Sequence, residues 1–198
     1  MRAFLLTFLL ATAVHAEGTA TEALKARDSE IRTALPKSGT EPTPAARKKL
    51  EGIVTQSVDL EGMARSAMGK SWGETTPAKR RKVIDAFVGR FRKATGEQLD
   101  QYRSTEITYF PEKKDGEDTV VPTEVKVKGE PTHIDYRMRE ENGTWRIVDI
   151  VVDDVSTVDN YRSSFGRIIK KEGVDGLISR LSKTTTPPEQ AASNGGSR

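Results

Sequence analysis

The fold of this 198-residue chain is decided by residues 134–152, which read IDYRMREENGTWRIVDIVV. The stretch begins with Ile134, Tyr136 and Met138, which alternate with charged residues as one face of a strand does. Asn142-Gly143 follows, a dipeptide that favours the tight turn of a β-hairpin. An apolar run after this turn supplies the second strand. The stretch therefore predicts two antiparallel strands with one face available for packing.

Further strand candidates precede this hairpin, and the turn dipeptide Asp115-Gly116 lies between them. The sequence thus predicts an antiparallel sheet of about four strands, at residues 107–110, 120–128, 134–138 and 145–152. Apolar residues recur at helical spacing in the sequence before and after the predicted strands. The predicted helices cover residues 18–35, 44–54, 60–68, 78–102, 158–172 and 174–181. Together these elements indicate an α+β domain in which helices cover one face of the sheet.

The two ends of the chain differ in composition from this domain. Residues 1–16 combine Arg2, an apolar run and the small residues around Ala16, which predicts a signal peptide cleaved near Ala16 and export from the cytoplasm. Cleavage after Ala13, a buried helix and a membrane anchor are the alternatives. Residues 17–183 are expected to form a single domain. Residues 184–198 are rich in Thr, Pro, Ser and Gly, which predicts a disordered tail.

Composition removes several classes of function. The chain has no cysteine, which excludes disulfides, thiolate metal sites and Cys nucleophiles, and its net charge is only +3. The basic cluster at residues 79–82 has no aromatic residue within it, so a solvated face or a docking patch is favoured over nucleic-acid binding. His133 is the only histidine after the signal peptide. Asp153 and Asp154 are adjacent in an extended stretch and point to opposite faces. We therefore predict no catalytic residue and no metal site.

Apolar side chains of the helices and of the sheet form one large set. From the helices come Met63, Ala67, Met68, Phe87, Phe91, Tyr161 and Phe165, and from the sheet come Val125, Val127, Ile134, Tyr136, Met138, Val148 and Ile150. Periodicity alone is compatible with a close-packed core or with a ligand cavity, because both use the same residue types. Asp149 is predicted to share a strand face with Trp145 and Ile147, where Tyr161 or Arg162 would have to satisfy its charge.

An ordered set of short motifs resembles the MlaC family, also called toluene-tolerance proteins. The resemblance covers about residues 59–181. Its motifs are Asp59-Leu60-Glu61-Gly62-Met63-Ala64-Arg65, Asp135-Tyr136-Arg137, the run from Gly143 to Asp149, Val155-Ser156, Asn160-Tyr161-Arg162-Ser163 and Gly173-Val174-Asp175-Gly176-Leu177-Ile178. The chain departs from the family pattern at Asp153-Asp154, where Glu-Gly is common, and at Ser164, where Gln is common.

The resemblance implies a curved antiparallel sheet wrapped by helices around an apolar pocket, lined by the fourteen apolar residues named above. It implies a soluble periplasmic phospholipid carrier that maintains outer-membrane lipid asymmetry, with bound phospholipid as cargo and no cofactor. The implied partners are an outer-membrane lipoprotein complex and an inner-membrane ABC-type lipid transport complex. Two alternatives stay open: a secreted lipid or ester hydrolase that uses His133, and a periplasmic interaction domain with a filled core.

Overall fold

The computed structural model describes residues 18–37, 40, 42–97, 105–127 and 129–183. The helices are α1 (Ala20–Ala34), α2 (Pro44–Ser57), α3 (Leu60–Met68), α4 (Lys70–Glu74), α5 (Pro77–Glu97) and α6 (Thr157–Lys183). The strands are β1 (Ile107–Tyr109), β2 (Lys113–Asp115), β3 (Asp118–Val127), β4 (Glu130–Glu141), β5 (Thr144–Val152) and β6 (Val155–Ser156). The predicted signal peptide, the predicted tail and the predicted end of the long helix beyond residue 97 lie outside the described residues.

The sheet confirms the predicted α+β class but has six strands instead of about four. Its order is β1-β3-β4-β5-β6, with β2 also paired to β3, and all these pairings are antiparallel. The two strands that the sequence did not predict are β2, which is short and fully exposed, and β6, which has two residues. The Asn142-Gly143 turn is confirmed, because both residues have the positive φ that a type I′ hairpin turn requires.

A β-bulge in β5 changes which side chains face the helices. Arg137 pairs with Asp149 and Met138 pairs with Ile147, so Val148 is an extra residue without an opposite partner. Ile147 and Ile150 consequently face the same side of the sheet, although strict alternation would separate them. The prediction that Val148 and Ile150 both belong to the apolar sheet face is therefore wrong for Val148, and so is the prediction that Asp149 shares the face of Ile147.

Helices α3, α5 and α6 pack together over the sheet. Phe87 of α5 meets Tyr161 and Phe165 of α6 edge-on, with ring centroids 5.0 and 6.2 Å apart. Gly173 was predicted to end a helix. This is confirmed: its φ of 69° is not helical and separates two helices within α6, the second of which buries Leu177.

The junction between α2 and α3 joins the helices to the sheet. The Asp59 amide donates to the Ile147 carbonyl at 2.9 Å, and the Asp59 carboxylate accepts from the Gly62 amide at 2.9 Å as the N-cap of α3. A Cβ at Gly62 would lie 1.9 Å from the Asp59 carboxylate. The Asp59–Gly62 spacing of the family-like motif is thus a requirement of this cap.

Within the described residues, none of the helices is long and apolar enough to cross a membrane.

Candidate functional site

The structure brings ten of the fourteen predicted pocket residues to one hydrophobic cluster. Seven are buried in it: Met63, Ala67, Met68, Phe87, Met138, Tyr161 and Phe165. Three are partly buried against it: Phe91, Tyr136 and Ile150. Val125 and Ile134 lie further along the same sheet face, outside this cluster. Val148 is the bulge residue, and the side chain of Val127 lies outside the described part of the chain.

The helix-facing side of the sheet has two ends that differ in burial. The closed end consists of Thr119, Val121, Met138, Trp145 and Ile147, all of which are buried. The open end contains Tyr109, Ile134, Tyr136 and Ile150, all of which keep partial solvent exposure, beside the buried Thr123 and Val125 of β3. The bulge in β5 separates the two ends. Because the open end is apolar and incompletely covered, it is the part of this face that an apolar ligand can reach.

Helix α1 brings a charged pair towards the phenols of the open end. Burial raises the pKa of Tyr136 to about 12, and the negative charge of Asp28 adds to the shift. The pKa of Tyr109 is raised to about 12 for the same two reasons, in the same order. Asp28 accepts from Arg32 Nε at 2.9 Å, and Arg32 also donates to the Thr105 carbonyl at 2.7 Å. Both phenols therefore remain uncharged at neutral pH.

Sequence reasoning did not single out Tyr109 or Asp28. A signal for Tyr109 was available, because it alternates with Ile107 in the first predicted strand. The register places Tyr109 opposite Thr123 and therefore on the helix-facing side. No comparable signal exists for Asp28, whose position depends on how α1 crosses the sheet.

The opposite side of the sheet carries a cleft of about 310 Å³ with polar walls. Arg137 donates to Asp115 at 2.7 Å and Arg139 donates to Asp118 at 2.7 Å. These hydrogen bonds raise the pKa of each guanidinium above its ordinary value, against a smaller opposing effect of burial. Internal pairs therefore satisfy these charges.

Asp149 lies in the wall of this cleft with other partners than those predicted. Its carboxylate accepts from the Ser156 hydroxyl at 2.5 Å and from the amides of Ile150 and Val158 at 2.8 and 3.0 Å. Arg162, a predicted partner, donates instead to the Ser66 carbonyl at 3.0 Å. The carboxylate is hydrogen-bonded as predicted, but its partners lie in β5, in β6 and at the start of α6.

The basic cluster at residues 79–82 is not a uniform patch of free cations. Lys79 forms an ion pair with Asp175 at 2.8 Å. Arg80 donates to the Trp72 carbonyl at 2.8 Å and its guanidinium lies 5.2 Å from the Trp72 ring centroid. These two side chains hold α4 and α6 against α5.

His133 lies on the polar side of the sheet, away from the helix-facing apolar face. Its side chain is 67 % exposed and its Nδ1 lies 3.8 Å from a carboxylate oxygen of Glu124. Among the residues that the structure describes, no group of three His, Asp or Glu side chains is arranged to hold a metal ion.

Comparison with known proteins identifies the family. The model of the MlaC protein family matches residues 29–183. The chain belongs to the MlaC family. Its fold also matches the solved structure of a phospholipid-binding protein from Ralstonia solanacearum in complex with a phospholipid, with a TM-score of 0.68. The two sequences are 24% identical, and the match covers 90% of this chain and 99% of that chain. At this identity the likeness establishes a shared fold, which confirms the α+β architecture of this MlaC family member.

Proposed function

We propose that this MlaC family member binds phospholipid and carries it through the periplasm. The observation that carries the proposal is the apolar sheet face that continues past the closed end into the partly exposed open end. Membership of the MlaC family supports it, as does the phospholipid bound to the Ralstonia solanacearum protein of the same fold. The acyl chains would lie against the open end, between Tyr136 and Ile150 on the sheet and Phe91 on α5.

The energetics suit a carrier more than a permanent binding site. A buried methylene is worth about 0.8 kcal/mol, so two chains of roughly 16 carbons gain on the order of 25 kcal/mol on leaving water. A lipid in a bilayer already has this gain, so exchange between bilayer and protein is close to balanced. The head group would stay near water beside Asp28 and Arg32, because burying an unpaired phosphate is costly.

The finer parts of the proposal concern place and partners. We infer that residues 1–16 direct export and are cleaved near Ala16, and that the mature chain is a non-enzymatic carrier. It would exchange lipid with an outer-membrane lipoprotein complex and an inner-membrane ABC-type transport complex, and so maintain outer-membrane lipid asymmetry. Direction would come from the partners, because exchange near balance has no direction of its own.

The deciding experiment is mass spectrometry of organic extracts from the purified mature protein, with lipid counted per protein. Intact phospholipid is expected from the wild type. Ile150→Trp should fill the open end and lower the lipid content at least twofold. Val151→Trp is the matched control, since this neighbour faces the polar cleft and its substitution should leave the lipid content unchanged.

Two results would contradict the carrier. The first is an extract without phospholipid from wild-type protein that is folded. The second is catalytic release of fatty acid that is lost in His133→Ala, which would favour the hydrolase.

A further inference from the structure

Charge is divided unequally between the helices and the sheet. The segments of α5 and α6, residues 77–97 and 157–183, contain thirteen basic and five acidic residues. The sheet segment, residues 105–156, contains seven basic and thirteen acidic residues. A net charge of +3 for the whole chain therefore conceals a positive pair of helices and a negative sheet. Such a division creates a field that orients the molecule towards a charged surface.

The outer side of α5 carries a basic face. Phe87 points into the core, and helical geometry places Arg81, Lys82, Arg92 and Lys93 on the opposite side. Arg81 is neutralised by Asp85 at 3.2 Å, and both side chains are more than half exposed. Lys82 and Arg92 are exposed and form no hydrogen bond or ion pair with any residue in the described part of the chain. We call these four cations the α5 basic face.

We propose that the α5 basic face docks the protein onto an anionic phospholipid surface. Each Lys or Arg near such a surface contributes roughly a fivefold increase in affinity, and salt screens the attraction. A face of four cations, in which Arg81 is paired with Asp85 and Lys93 also has an interaction of its own, gives weak and reversible adsorption. The apolar side of α5 is buried in the core, so the helix adsorbs through charge without inserting into the bilayer.

A bilayer fits this face better than an acidic protein because of what lies next to it on the same helix. Phe91, which packs partly buried against the hydrophobic cluster and which the proposed function places against the acyl chains, immediately precedes Arg92. Adsorption through Arg92 and Lys93 would therefore hold the open end close to the lipid head groups. This choice of partner rests on the proposed phospholipid-carrier function, whereas the docking itself can be measured without it.

The test is sedimentation of the full chain with vesicles. Vesicles containing phosphatidylglycerol should pull down the wild type at low ionic strength, and phosphatidylcholine vesicles should not. The double variant Lys82→Glu/Arg92→Glu should bind anionic vesicles at least tenfold more weakly. The matched control Lys113→Glu/Lys126→Glu changes the net charge equally but alters exposed lysines of the sheet, so it should bind like the wild type.

The proposal would be overturned if the wild type did not bind anionic vesicles. It would also be overturned if both double variants lost vesicle binding equally, or if the α5 variant lost none. A wild type that binds an acidic protein through the α5 basic face but does not bind anionic vesicles would also refute it. The lipid extracted from each variant separates this proposal from the carrier function. A wild type that carries no lipid yet binds anionic vesicles would refute the carrier and leave the docking in place.

Discussion

The closed and open ends belong to one sheet face, yet they meet the helices differently. At the closed end, Val121 is fully buried and Met138 is 2% exposed, within the hydrophobic cluster to which α1, α3, α5 and α6 contribute. At the open end, Tyr136 and Ile150 have the same apolar character but remain partly exposed. The comparison teaches that an apolar face can stabilise a fold at one end and keep ligand-accessible surface at the other. The following substitutions test this difference, and they are ordered from the largest to the smallest expected change in the free energy of unfolding.

The largest difference should come from two phenylalanines of α5. Phe87→Ala removes a side chain that is 1% exposed and should lower the free energy of unfolding by about 3–5 kcal/mol. Phe91→Ala removes a partly buried ring at the margin of the hydrophobic cluster, so its cost should be less than half as large. Urea unfolding of both variants measures the difference. Equal losses would mean that the two ends do not differ in packing.

The second substitution acts at the boundary between the two ends. Asp149→Asn replaces one carboxylate oxygen with an NH2 group, which cannot accept a hydrogen bond. The variant therefore cannot keep all three hydrogen bonds that Asp149 accepts. The free energy of unfolding should fall by about 1–3 kcal/mol. Asp153→Asn is a control, because this exposed carboxylate accepts one hydrogen bond, from the His133 amide. An unchanged urea midpoint for Asp149→Asn would show that the bulge does not depend on this carboxylate.

The third substitution tests the open end through pH. The folded-state pKa of Tyr136 is about 12, above its ordinary value of 10.0, so the protonated phenol contributes stability that is present below pH 10 and is lost as pH rises towards 12. Tyr136→Phe should reduce this alkaline loss by up to about 2 kcal/mol. Urea midpoints at neutral and alkaline pH provide the measurement. If the wild type and Tyr136→Phe lose stability in parallel, the phenol is not desolvated.

The smallest effect should come from the turn that follows the open end. Asp153 and Asp154 have φ values of 44° and 65°, so both residues of the two-residue turn between β5 and β6 are left-handed. Glycine adopts this region without steric cost, and Asp154→Gly should raise the free energy of unfolding by about 0.5 kcal/mol. Asp154→Ala is the matched variant and should be destabilising. Stabilisation by Ala would show that the turn is not strained.

Sequence alone predicted the elements well where periodicity determines them. The bounds of α3 agree with the predicted residues 60–68, because Asp59 and Gly69 mark both ends. The bulge could not be predicted, since Ile147, Val148 and Ile150 are all apolar and fit either face. Strand alternation identified the residues of the sheet face, but it could not tell a buried position such as Met138 from a partly exposed one such as Tyr136. That difference depends on which helices cover each end.

The covering of β5 has a consequence for self-association. The edge of β5 that does not pair with β4 has two halves. Val58 occupies one half through a parallel β-bridge to Ile147, and β6 occupies the other. The far edge of the sheet is divided between β1 and β2, each three residues long, and β2 contains two lysines. Within the described residues, a second chain therefore meets no long, flat row of free backbone groups to which it could add a strand. The sheet is thereby protected from growing edge to edge into aggregates.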